Sequence, residues 1–303
     1  MPRKYLISVV GATAIGKTAL SISLAKHYNA PIISCDSRQF FKEMNIGTAV
    51  PSKEELALAE HHFIQSRSIH DDYSVGQFEK DALAKLKELF KANEIVIMVG
   101  GSGLYVDAVL KGLDYFPKVD PSIRQELNTK IETEGIKSLQ EQLKILDVDS
   151  YNSIEIENPH RLIRALEICI GTDKPYSYYK NKPKTPREFV PIKIGLTADR
   201  AIMYDRINQR VDIMINSGLL EEVKPLLSYK HLNALQTVGY RELFEYFEGK
   251  FTLDFAIEEL KKNTRRFAKR QGTWFRKDKD IRWFDFQSDL KDIITFVDTR
   301  KQT

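Results

Sequence analysis

Residues 5–18 read YLISVVGATAIGKT. Tyr5–Val10 is a short apolar run rich in β-branched residues, which predicts a buried strand. Gly11-Ala12-Thr13-Ala14-Ile15-Gly16-Lys17-Thr18 fits G-x-x-x-x-G-K-[ST]. Lys17–Tyr28 then continues with helical spacing of Ala19, Leu20, Ile22, Leu24 and Ala25. Strand, glycine-rich loop and helix in that order make a phosphate cradle. The glycines let backbone N–H groups wrap phosphate oxygens, Lys17 brings a point charge, and the Thr18 hydroxyl can ligate Mg²⁺. At average composition a chance match in a chain of this size has a probability of roughly one percent.

Outward from the loop, the pattern repeats. Pro31–Cys35 and Glu94–Val99 predict further strands, and Ser74–Ala92 predicts an amphipathic helix with Val75, Phe78, Ala82, Leu86 and Leu89 on one stripe. Such alternation implies a parallel sheet covered by helices, the P-loop NTPase-like α/β class. After Gly112 the pattern changes. Ser122–Glu134, Ile136–Leu146 and Pro159–Ile170 predict helices with no strand between them, and Thr172–Pro191 reads as a linker or docking loop rich in Pro, Lys and Tyr. Ile192–Leu196 returns to strand. Asp199 is placed to cap a helix over 200–216, and helices at about 218–227, 239–247 and 253–273 precede a last strand at Ile281–Phe284. The expected organisation is an α/β core from 1–115 and 191–303, interrupted by a helical insertion at 116–190.

Composition narrows the classes further. In 303 residues, 46 Lys+Arg against 42 Asp+Glu give a net charge of +4, so a nucleic-acid site must be a local basic patch. Apolar residues at 42% and charged residues at 29% fit a globular chain rather than a disordered one. Two cysteines are too few for a disulfide framework and point to a reducing compartment, the cytoplasm. No segment approaches the apolar length of a membrane span.

The acid that P-loop enzymes commonly place at a strand end is missing after Val99, where Gly100-Gly101-Ser102-Gly103 follows instead. Asp36, in Cys35-Asp36-Ser37-Arg38-Gln39, ends the second strand and should sit beside the P-loop, where ligands of open parallel sheets collect. It is a candidate metal ligand or proton acceptor. The GGSG turn predicts a close backbone approach, with Ser102 free to hydrogen-bond a substrate. Lys261–Lys277 carries eight Lys/Arg and no acid, with Phe267, Trp274 and Phe275 interleaved. Arg265, Arg266, Lys269 and Arg270 on that helix suit a phosphate-rich partner. Arg161 and Arg164 form a smaller basic pair, and Arg241 follows a loop from which it can reach a phosphate. His61 and His62 are adjacent, so on a strand they face opposite ways and cannot chelate one metal. Cys35 is expected to pack, and Tyr176, Tyr178 and Tyr179 to belong to the loop rather than to stack on bases.

These residues together resemble the bacterial tRNA dimethylallyltransferases, the tRNA isopentenyltransferase family. The resemblance rests on GATAIGKT (11–18), DSRQ (36–39), NIGTA (45–49), YSVGQFEKDA (73–82), VGGSGLY (99–105), NPHRLIRALE (158–167), VGYRE (238–242) and TRRFAKRQGTWFR (264–276). It implies transfer of a dimethylallyl group from dimethylallyl diphosphate to N6 of the adenosine 3′ of the anticodon, position 37, with Mg²⁺. The P-loop would then hold a diphosphate, with ATP at most a competitor. By the same resemblance Asp36 is the general base, Thr13, Lys17 and Thr18 contact diphosphate and metal, and Arg241 binds diphosphate. Asp36, Ser37, Arg38, Gln39, Ser102, Arg124 and the stretch His160, Arg161, Leu162, Ile163 and Arg164 fall where the family touches the tRNA anticodon stem-loop. Ser102 stands where Thr is more usual, and His160 where Gln is common. A monomer is expected. The alternatives are a nucleotide or small-metabolite kinase on the same P-loop, an adenylate isopentenyltransferase, and a non-catalytic RNA-binding module. The intact Lys17, Thr18 and Asp36 speak against the last.

Overall fold

The computed structural model describes residues 3–302. The elements alternate as the sequence predicts: β1 (Tyr5–Gly11), α1 (Lys17–Tyr28), β2 (Ile32–Ser34), α2 (Lys53–Ala57), β3 (His61–His62), α3 (Val75–Leu89), β4 (Ile95–Gly100) and α4 (Gly103–Lys111). Four helices follow, α5 (Pro121–Glu134), α6 (Ile136–Leu146), α7 (Val148–Ser153) and α8 (Pro159–Thr172). The chain then returns to β5 (Val190–Thr197), α9 (Arg200–Asn216), α10 (Leu219–Val223), α11 (Tyr240–Phe247), α12 (Leu253–Phe275), β6 (Arg282–Asp285) and α13 (Leu290–Gln302). The six strands form one parallel sheet in the order β3-β2-β4-β1-β5-β6. Every residue of β1 is buried, as the middle strand of a doubly covered sheet requires. Two apolar clusters lie on the sheet: one contains Leu6, Val10, Phe78, Leu86 and Met98, the other Ile7, Val9, Leu24, Ile97 and Ile194. No described helix is long and apolar enough to cross a membrane.

The chain divides into two compact units, one up to Lys111 and again from Arg187, the other Gly112–Pro186. The second unit therefore starts and stops earlier than 116–190. Gly112 leaves α4 with φ 83°, a left-handed conformation that ends the helix. At the other end, Arg187 is held by the Glu79 carboxylate and the Ala108 carbonyl, and Phe189 is buried against Phe90. Residues 187–190 thus belong to the sheet unit. Within the second unit, Asp120 and Asn158 cap α5 and α8, each followed by a proline in the first turn. Leu127, Leu139, Leu143, Leu162 and Leu166 meet in its core. The expected linker is partly ordered: Tyr176–Tyr179 forms a 3₁₀ turn, because Asp147 accepts hydrogen bonds from Ser150 and from the backbone and hydroxyl of Ser177.

Several expectations need correction. The helix expected over 218–227 is α10 followed by a 3₁₀ turn, Lys224–Tyr229, because Pro225 supplies no N–H to continue an α-helix. Asp199 stands at the N-cap of α9, yet its side chain makes no capping bond. α2, with its Ser52/Glu55 capping box, and α13 lie outside the segments that the pattern predicts as helices. Asp36 is also not beside the P-loop by strand order, since β4 lies between β1 and β2.

Candidate active site

The P-loop leaves the C-terminal end of β1 and wraps through three residues of positive φ, Gly11 (148°), Ala14 (63°) and Gly16 (109°). A side chain at Gly11 would start 2.8 Å from the Leu196 carbonyl oxygen, so the loop's first turn needs glycine for space as well as for φ. Gly16 caps α1 without a side chain, which leaves the first N–H groups of that helix for an anion. Lys17 folds back over the loop and donates to the Ala12 carbonyl at 2.7 Å. Burial pulls its pKa down to about 8; the Asp36 charge opposes this and Arg210 adds to it.

How does Asp36 reach the P-loop across β4? Cys35 donates its N–H to the Val99 carbonyl at 2.8 Å, and the chain after it crosses the end of β4 at Gly100. A Cβ on Gly100 would lie 2.7 Å from the Cys35 carbonyl carbon and 2.9 Å from the Asp36 nitrogen. The glycine permits the crossing, and the Asp36 carboxylate interacts with both Lys17 and Arg210. Asp36 Oδ1 accepts the Arg38 N–H at 3.1 Å, and the Ser37 N–H donates to Ser102 Oγ at 3.1 Å. The loop carrying Asp36 is thereby tied to the GGSG turn. Cys35 itself is buried, and burial pushes its thiol far above the ordinary range, so it packs and does not react.

Two cavities open here. A recess of about 330 Å³ is lined by Thr13–Thr18, Ser34, Asp36, Arg206 and Arg210. A wider chamber of about 460 Å³ is lined by Asp36–Arg38, Gly101–Tyr105, Arg241 and Arg270, with Ile207, Val211, Met214, Leu219, Phe267 and Trp274 as its apolar walls. Thr13, Asp36, Thr48 and Arg210 line both. A cationic anion recess thus adjoins an aromatic, apolar chamber, with a carboxylate at the junction.

The model of the IPP transferase family matches residues 39–278. A tRNA dimethylallyltransferase of Flavobacterium johnsoniae is 62% identical over 300 residues, covering 97% of both chains, and one of Christiangramia forsetii is 60% identical over 299 residues, covering 99% of both. The chain belongs to the IPP transferase family. Among solved structures, the full-length tRNA isopentenylpyrophosphate transferase of Bacillus halodurans superposes with a TM-score of 0.74 at 35% identity, over 99% of this chain and 97% of that one. A eukaryotic dimethylallyltransferase acting on tRNA superposes with a TM-score of 0.78 at 26% identity, over 98% of this chain and 77% of that one.

In this IPP transferase the expected RNA-facing residues have unequal freedom. Arg241 is exposed at the chamber and, among the described residues, makes no ion pair. Arg266, Lys269 and Arg270 are exposed along α12, whereas Arg265 is half-buried and donates to Asn208 Oδ1 at 2.6 Å. Arg38 spends its guanidinium on the Asn233 and Ala234 carbonyls, both at 2.9 Å, and Gln39 its amide on the Thr48 and Ala49 carbonyls. In the second unit, Arg124 and Arg164 both grip the buried Glu167 carboxylate, and Arg161 pairs with Glu155 at 2.9 Å. His160 is exposed in the first turn of α8. Leu162 and Ile163, expected among the RNA contacts, are 0% and 5% exposed. At 100° per residue the helix that turns 161 and 164 outward turns 162 and 163 into the core, so these two are withdrawn as RNA contacts. His61 and His62 form the edge strand β3, His61 bonded to the Ala59 carbonyl and His62 paired with Glu60.

Four further residues shape this site. Arg206 Nε donates to the Ala14 carbonyl at 2.9 Å, and Arg210, one turn on, lines both cavities. Glu222 accepts the backbone N–H groups of Asn45, Ile46 and Gly47 and the Tyr240 hydroxyl, locking the NIGTA loop to the start of α11. Gln271, buried in α12, accepts the Thr13 N–H on Oε1 and donates from Nε2 to the Gly101 carbonyl, each at 2.9 Å. The signal for Gln271 was a neutral polar residue on the buried stripe Leu260, Ala268 and Phe275 of a basic helix. Nothing local marks Arg206, Arg210 or Glu222.

Proposed function

We propose that the chain transfers the dimethylallyl group of dimethylallyl diphosphate to N6 of the adenosine at position 37 of a tRNA and releases diphosphate. The observation that carries this reading is the junction at Thr13 and Asp36, where an anion recess meets a chamber wide enough for a flipped base. The diphosphate lies on the P-loop N–H groups with Lys17, Arg206 and Arg210 around it, and the prenyl group points toward the apolar walls. The adenine enters the chamber past Phe267 and Trp274, whose rings supply stacking surface. Asp36 takes a proton from N6 as nitrogen bonds to C1, while the C1–O bond breaks and its electron pair leaves with the diphosphate. Lys17 and the arginines stabilise the charge that develops on that leaving group.

Among the described residues, no three His, Cys, Asp or Glu side chains gather into a metal site. Thr18 and Asp36 line the same recess, and their side-chain oxygens would hold a Mg²⁺ ion there. When bound, the ion neutralises diphosphate charge. Arg241 reaches the diphosphate from the chamber side, and Arg266, Lys269 and Arg270 supply cations for the anticodon stem-loop phosphates. In the second unit, His160 and Arg161 offer exposed polar groups to RNA, while Arg124 and Arg164 are held by Glu167 beside them. The reading takes the protein as a monomer working where tRNA is found, in the cytoplasm. The test incubates the protein with labelled dimethylallyl diphosphate and, separately, tRNA, AMP or ATP. Label is expected in tRNA alone, and tRNA with guanosine at position 37 should take none. Label in AMP or ATP but not tRNA would replace this function with a nucleotide prenyltransferase.

A further inference from the structure

We infer that Gln271 is a positioning residue that holds the P-loop and the base-bearing loop in catalytic register through one buried side-chain amide. The inference rests on the prenyl-transfer reading above. Gln271 is 7% exposed and both ends of its amide are engaged. Its Oε1 accepts the Thr13 N–H, and its Nε2 donates a hydrogen bond to the Gly101 carbonyl, both at 2.9 Å. The amide therefore has one permitted orientation, because a flip would face donor to donor and acceptor to acceptor. Gly101 admits it closely: a Cβ there would collide with Nε2. The next residue, Ser102, receives the Ser37 N–H and pairs with the Ser37 hydroxyl at 3.1 Å. Asp36 precedes Ser37 in the chain. A continuous line of hydrogen bonds thus runs from Thr13, at the diphosphate recess, through Gln271 to the loop carrying the base.

Two consequences distinguish this from simple packing. The Thr13 N–H is committed to Gln271, so Thr13 meets the substrate through its hydroxyl. The spacing between Thr13 and Asp36 is set by α12, the helix whose outer face carries Arg266, Lys269 and Arg270. Small errors in such spacing cost turnover far more than binding.

Gln271→Leu and Gln271→Glu test the inference, with steady-state kinetics for both substrates, melting temperature, and calorimetry of inorganic diphosphate binding. Gln271→Leu should lower kcat by about 10²-fold, with KM and diphosphate affinity within a few-fold of wild type. Gln271→Glu keeps the acceptor for Thr13 but, ionised, turns a carboxylate on the Gly101 carbonyl. Burial against the Gly101 carbonyl favours the protonated form, which restores a donor, so the ratio of variant to wild-type kcat should climb severalfold from pH 8.5 to pH 5. A Gln271→Leu protein with lowered melting temperature but wild-type kcat would reduce Gln271 to a packing residue and overturn the inference. So would a Gln271→Glu ratio flat across pH with kcat reduced as in the leucine variant. If the wild-type protein itself transfers no prenyl group to tRNA, the functional reading fails, and the variant ratios are not what decides it.

Discussion

At the scale of single residues, the proposed reaction divides its chemistry between Asp36, for proton removal, and Lys17, for charge stabilisation. Asp36→Asn preserves the hydrogen bond from the Arg38 N–H, so the loop should keep its shape. Loss of the base should cut single-turnover transfer by about 10²–10⁴-fold, while equilibrium binding of diphosphate and tRNA stays within a few-fold. Lys17 makes a prediction in pH. Its pKa of about 8 in the free protein reflects burial, with the neighbouring Asp36 only partly offsetting it. A diphosphate anion favours the charged ammonium and raises that pKa on binding. Binding therefore takes up a proton above pH 8, and affinity should fall with rising pH there, by up to about tenfold per unit. Calorimetry of dimethylallyl diphosphate between pH 7 and 9.5 checks the slope, which Lys17→Ala should abolish together with much of the affinity.

At the scale of elements, α12 serves both faces. Its inner stripe, Leu260, Ala268, Gln271 and Phe275, is buried, and its outer face carries the exposed Arg266, Lys269 and Arg270. Alanine at those three positions should weaken tRNA binding and reduce the slope of log K against log salt by about 0.7 for each phosphate that is no longer neutralised. Filter binding across salt concentrations, with melting curves alongside, measures it; an unchanged slope in a folded variant would make these cations an ordinary solvated face. Arg265 belongs to a different class. Its bond to Asn208 joins α12 to α9, the helix that brings Arg206 and Arg210 to the P-loop. Arg265→Ala should therefore change stability more than the salt slope.

At the scale of the whole molecule, two units have separate cores and separate electrostatic weak points. In the Gly112–Pro186 unit, burial opposes ionisation of Glu167, but hydrogen bonds and charge from Arg124 and Arg164 outweigh it and hold the carboxyl below its ordinary range. A depressed carboxylate pKa contributes stability at neutral pH that is lost as pH falls through the folded-state value. This unit should loosen in acid below about pH 4. Glu167→Gln should destabilise it by about 1–3 kcal/mol at neutral pH. Hydrogen exchange in α5 and α8, compared with β1 and β4, locates the loss; a uniform change across both units would contradict it.

The sequence alone determined the parallel α/β core, because short continuous apolar runs, amphipathic helices and a glycine-rich loop are local signals. Family membership was legible for the same reason: GATAIGKT, DSRQ and VGYRE are contiguous strings whose chemistry does not depend on distant partners. Strand order was not local, and it changed how Asp36 reaches the P-loop, over Gly100 at the end of β4 rather than from a neighbouring strand. Basic residues that looked equivalent also parted company. Arg38 turned to two carbonyls, Arg124 and Arg164 to a buried glutamate, and Arg241, at the chamber, makes no ion pair among the described residues. Burial needs the partner surface to be known, as Leu162 and Ile163 show. Arg206, Glu222 and Gln271 satisfy backbone groups 170 or more positions away in the chain, and Arg210 meets the charge of the equally distant Asp36, so only tertiary packing brings these side chains to their partners.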